Sequence, residues 1–139
     1  MKMYLIAIVI ALVGLWISSE VQAGDLCGLR TSGVFNVENW QAQGTKGAID
    51  LTVTLRSKDK KAIKGVGGRA EFFAGGKSIA AFQIYLKQPV EARGAITLRS
   101  SERRTKQAET LLDTDKANVH VLACVDSIEY VDGSGVIIN

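Results

Sequence analysis

Apolar and polar positions alternate with a period of two along much of the chain after residue 33. The clearest case is Ala48-Ile-Asp-Leu-Thr-Val-Thr-Leu-Arg56, where Ile49, Leu51, Val53 and Leu55 fall on one face, opposite Asp50, Thr52 and Thr54. This period sends successive side chains to opposite sides of an extended backbone, so the segment predicts a half-buried strand. Gly33 to Glu38 predicts a strand before it. Ile63 to Phe73 predicts one after the charged turn Ser57-Lys-Asp-Lys-Lys61. Gly65, Gly67 and Gly68 inside that third run point to a bulge or a close backbone approach.

Lys77 to Leu86 fits two patterns: Ile79, Phe82 and Leu86 suit a helix face, while Ala80, Phe82, Ile84 and Leu86 suit a strand face. The strand is preferred, because Gly75-Gly76 makes a natural hairpin turn between two aromatic-bearing runs. Pro89 closes it, and Val90 to Arg99 forms the next, ending in Ala95-Ile-Thr-Leu98. Ser100 to Asp115 is polar beyond Leu111 and Leu112 and reads as a loop with one short helix. Val119 to Val125 is apolar on both faces, as in a central strand, and Ile128 to Val131 continues it after a bulge. Asp132-Gly133 turns the chain into Val136-Ile-Ile138. About seven short strands with glycine and charged turns predict an all-β fold, a single immunoglobulin-like β-sandwich.

The stretch LTVTLRSKDKKAIKGVGGRAEFFAGGKSIAAFQIYLKQPVEARGAITL, with IEYVDGS later, resembles the FxLYD-type domains of bacterial exported proteins. These are immunoglobulin-like sandwiches akin to the late-embryogenesis water-stress fold. The shared pattern runs from a strand and polar turn through Ile-Lys-Gly-Val into an aromatic pair, a glycine hairpin and a closing aromatic-x-Asp-Gly. It covers roughly residues 34 to 134, with Ala74 where the family commonly has Asp. The resemblance implies an architecture and carries no active site with it.

The first residues change the picture of where the protein works. Lys2 precedes the apolar run Tyr4 to Ile17, and Val21-Gln-Ala23 places small residues where a signal peptidase cleaves. A spanning helix needs about 20 apolar residues, more than this run has. Residues 1–23 therefore read as a cleaved signal peptide and residues 24–139 as one domain, periplasmic or secreted, with no membrane span after cleavage. Leu26 before Cys27 argues against lipid attachment. The two cysteines, Cys27 and Cys124, read as a disulfide in such a protein, ahead of two buried thiols or a metal site. The net charge of +3 demands no particular partner.

Several short motifs carry the suggestion of chemistry. Gly75-Gly-Lys-Ser78 looks like the end of a phosphate loop, but Glu71 stands where the loop needs its first glycine, and a strand is expected after Ser78 instead of a helix. Gly65-Val-Gly-Gly68 lacks dinucleotide spacing. His120, the only histidine, alternates with valines and reads as a partly buried or rim residue. Asp113, Asp115 and Asn118 lack the central glycine and closing glutamate of a calcium loop. Glu109 and Asp113 can sit one helical turn apart but have no aromatic platform beside them. No catalytic residue, metal or cofactor is expected.

Two basic clusters remain: Lys58, Lys60, Lys61 and Lys64, and then Arg99, Arg103, Arg104 and Lys106. Neither has the interleaved aromatics that single-stranded nucleic acid would stack on, so nucleic acid is disfavoured. With Leu98 ending a strand, the second cluster is expected to project as a loop from one end of the sandwich. Trp40 reads either as a core anchor or as an exposed contact. The expected function is a non-enzymatic exported module binding another envelope protein or an anionic polymer. The alternative is a secreted hydrolase inhibitor acting through the 100–115 loop.

Overall fold

The computed structural model describes residues 26–138, so the expected leader over residues 1–23 lies outside them. Strands β1 (Phe35–Thr45), β2 (Ala48–Ser57), β3 (Ile63–Ala74), β4 (Lys77–Gln83) and β5 (Ala95–Arg103) come first. Helix α1 (Lys106–Asp113) and a 3-10 turn (Lys116–Asn118) precede β6 (Val119–Tyr130) and β7 (Gly135–Ile137). The strands form two antiparallel sheets, ordered β1-β2-β5 and β4-β3-β6-β7. This is the expected all-β sandwich of seven strands. The fourth strand stays with the third because Gly75 and Gly76, at φ of 59° and 75°, close a two-residue hairpin between Ala74 and Lys77. A strand, not a helix, thus follows Ser78, which leaves no helix terminus to hold a phosphate.

The period-two face of β2 supplies the core: Ile49, Leu51, Val53 and Leu55 are at most 1% exposed. Opposite them lie Ala70 and Phe72 of β3 and Val121, Ala123 and Val125 of β6. Trp40 meets Phe72 edge to face at 5.5 Å, and Phe72 meets Phe82 at 6.5 Å, so one aromatic row crosses from β1 through β3 to β4. Trp40 is therefore a half-buried core anchor, with the Lys116 ammonium 5.0 Å from its ring centroid.

Element boundaries depart from the expectations in instructive places. β1 runs on to Thr45, well past Glu38, because Gln41 and Gln43 face outward while Ala42 and Gly44 pair in register with Leu51 and Ile49. β4 ends at Gln83 instead of Leu86. β5 starts at Ala95 instead of Val90, which makes only an isolated bridge to Ile63. It also ends at Arg103 and not at Leu98, since Ser100 to Arg103 pair with Leu51 to Ala48 of β2. β6 is one strand in which Asp126 is the extra residue between Val125 and Ser127, the expected bulge. Opposite that bulge, a Cβ on Gly68 would lie 2.4 Å from the Cys124 carbonyl oxygen, so the close approach needs glycine.

Cys27 and Cys124 form the expected disulfide, with Cα atoms 5.4 Å apart. Val121, Ala123 and Val125 point into the core, so Cys124, in register with exposed Arg69, points to the other face of the sheet. It is nevertheless 0% exposed, because the segment before β1 lies over it. Thr31 pairs with Val125, and Arg30 reaches Glu71 at 3.4 Å. The bridge thus clamps this segment to the outside of the sandwich instead of crossing the core.

Candidate functional site

β5 alternates as β2 does, but the roles of its two faces follow from its place at the end of a sheet. Ile96, Leu98, Ser100 and Glu102 face inward, with Leu98 buried, while Thr97, Arg99, Ser101 and Arg103 are exposed on the outer face. Their neighbours across β2 and β1 are uncharged or acidic: Arg99 lies in register with Thr52 and then Gln41, and Ser101 with Asp50 and then Gln43. Arg99 and Arg103 form no ion pair among the described residues. Four residues apart on one strand face, their α-carbons are roughly 13 Å apart.

The expected basic loop is therefore not a loop, and its four cations are divided. Arg99 and Arg103 stand on a strand. Arg104 turns back: its Nε donates to Glu109 Oε1 at 2.9 Å and its guanidinium donates to the Thr45 carbonyl at 3.1 Å. It braces α1 against the β1–β2 turn, and Gly44 leaves the room for it to pass. Lys106 is exposed in the first turn of α1, whose N-cap Thr105 accepts from the Ala108 N–H. The helix buries Ala108 and Leu111, three residues apart on one face, and packs near β4 and β1. The 100–115 segment is thus strand as far as Arg103, where a loop was expected, followed by the expected short helix, which is packed.

A residue not singled out in the sequence joins this face. Tyr85, just beyond β4, is 74% exposed. It borders a cleft of about 290 Å³ where the end of β4 opens toward β5, lined also by Phe82, Gln83, Ile96, Leu98 and Arg99. The signal was present in the alternation of Ile84, Tyr85 and Leu86, which sends Tyr85 away from its buried neighbour. The cleft puts apolar side chains and one phenol beside a free guanidinium. Such a group pairs with carboxylates, phosphates or sulfates through two parallel hydrogen bonds.

Two of the four lysines of the other basic cluster are tied to carboxylates. Lys61 lies 3.2 Å from Asp132 and 5.1 Å from the centre of the Tyr130 ring, and Lys64 lies 3.6 Å from Glu129. The Tyr130 hydroxyl donates to Asp59, and that hydrogen bond together with burial pushes its pKa up to about 12. Hydrogen bonds from Ser134, then Lys61, hold Asp132 down at about 2. Lys58 and Lys60 remain exposed.

The remaining candidates take structural places. Asp115 caps the 3-10 turn by accepting from the Ala117 N–H, and Glu109 is paired with Arg104. Of the two expected placings, partly buried or rim, His120 takes the exposed one, since its place in the alternation turns it away from the core that Val119 and Val121 enter. Among the described residues, no three His, Cys, Asp or Glu side chains are grouped to hold a metal ion, and no helix is long and apolar enough to cross a membrane. Comparison with protein-family models, with curated proteins and with solved structures finds no match in any of the three.

Proposed function

We propose that the protein is a non-enzymatic interaction module, exported to the bacterial envelope or beyond, that captures an anionic partner on the outer face of β5. The observation that carries this reading is the pair Arg99 and Arg103, exposed and unpaired on a rigid strand, while Arg104, Lys61 and Lys64 are tied to carboxylates. The strand fixes where the two guanidinium groups project, and with no carboxylate partner of their own their charge-assisted hydrogen bonds are available to a ligand, at the usual cost of ordering a long side chain. The disulfide supports the export part of this reading, since it suits an oxidising compartment.

Retention on a polyanionic matrix tests it. The double variant Arg99→Ala/Arg103→Ala should bind at least about tenfold more weakly at low salt, the loss of roughly 1.4 kcal/mol that two charge-assisted contacts can supply. Lys58→Ala/Lys60→Ala should change binding much less, and both variants should keep their stability within about 0.5 kcal/mol, as exposed substitutions do. Equal retention of wild type and the arginine variant would refute the assignment. Export is tested separately: protein recovered from its host should begin at Gly24 by mass spectrometry, and an intact Met1 would contradict it.

A further inference from the structure

In an antiparallel pair each residue sends its N–H and C=O to the same side, and successive residues send theirs to opposite sides. At the two ends of the β2–β5 pair, Ser57 N–H donates to the Gly94 carbonyl at 2.8 Å and Arg104 N–H to the Gly47 carbonyl at 3.4 Å. Even-numbered residues of β5 therefore face β2. Thr97, Arg99 and Ser101 send their backbone groups the other way, where the sheet order ends. Among the described residues these three N–H and C=O pairs have no partner, and all three residues are exposed. An edge of this kind is a template for one more strand.

We propose that the free edge of β5 takes an extended acidic peptide of a partner protein as an added antiparallel strand. This rests on the reading of Arg99 and Arg103 as the binding charges and names the partner's chemistry. A second copy of β5 is a poor occupant, because antiparallel self-pairing would bring the arginines of the two strands close together on one face. A strand with carboxylates four residues apart instead places one beside each arginine, since cross-strand neighbours share a face. Its residues opposite Ile96 and Leu98 point inward, over the cleft that Phe82, Ile96 and Leu98 line and Tyr85 borders. The recognised pattern is thus two acidic residues at i and i+4, followed by alternating apolar residues. Main-chain bonds supply affinity, and the alternate side chains supply the choice of partner.

The probe is the peptide Glu-Thr-Thr-Thr-Glu-Val-Thr-Val with blocked ends, offered to the disulfide-bonded protein at low salt. Parallel arms use the same peptide N-methylated on the backbone amides that face β5, its Lys-for-Glu counterpart, and a sulfated polysaccharide. The peptide should slow exchange of the Thr97, Arg99 and Ser101 amides at least about tenfold, and N-methylation should weaken binding by a similar factor. Arg99→Glu/Arg103→Glu should abolish binding of the acidic peptide and confer binding of the lysine counterpart. If the N-methylated peptide binds as well as the parent, or only the polysaccharide binds and the three amides stay unprotected, strand addition is overturned while capture of anions by these arginines stands. If the charge reversal leaves binding of peptide and polysaccharide unchanged, both readings fall.

Discussion

Reduction of the Cys27–Cys124 disulfide should destabilise the sandwich by about 4 to 5 kcal/mol, the loop-entropy value for a closed loop of 97 residues. The effect acts on the unfolded chain, which gains the conformations the bridge forbade. In the native state the bridge holds the segment before β1 against the outside of the four-stranded sheet, where the Thr31–Val125 pairing and the Arg30–Glu71 ion pair also hold it. Those contacts are at the surface, and an exposed ion pair is worth less than about 1 kcal/mol. Urea unfolding of oxidised and reduced protein measures the difference. Cys27→Ala/Cys124→Ala should follow the reduced protein, with an added loss from the emptied site of the buried Cys124 sulfur. The two-sheet core should survive, because none of its facing side chains belongs to the clamped segment before Val34. A reduced protein within about 1 kcal/mol of the oxidised one would show that the loop-closure term is not realised in this chain.

Phe72→Ala should cost about 3 to 5 kcal/mol, the range for removing a buried phenyl ring. Phe72 is 0% exposed and is the middle ring of the row joining Trp40 of β1 to Phe82 of β4, so both sheets lose contacts at once. The lost transfer energy and the cavity left behind add, and the strands on either side are too constrained by their ladders to close the space. Phe72→Leu fills much of the volume and should cost about 1.5 kcal/mol or less. Denaturant midpoints at unchanged slope report both. A loss below about 1 kcal/mol for the alanine variant would mean that the aromatic row does not hold the sheets together. Neither Phe72 variant touches Arg99 or Arg103, so anion retention at temperatures below unfolding should remain.

The sequence by itself determined the strands whose inward faces are strongly apolar, and the devices that join them. The alternation of Ile49, Leu51, Val53 and Leu55 has one low-energy solution, burial of that face, and it set β2. Gly75-Gly76 set the β3–β4 hairpin, because two consecutive residues at positive φ are open to glycine and strained for most others. The cysteine pair set the disulfide, though not the face on which it lies. Tertiary structure decided the rest where local signals are weak. Gln41 to Gly44 and Ser100 to Arg103 have little apolar content, and they are strands because β2 pairs with them on both sides. The split of the basic cluster likewise follows from that pairing: it carries Arg103 onto the sheet and leaves Arg104 to meet Glu109 and the Thr45 carbonyl. Nor can the chain alone declare an edge, since a strand's free hydrogen-bonding side exists only once the order of its neighbours is set. Charges can be counted in the sequence, but which of them stay unpaired depends on carboxylates brought near by distant parts of the chain.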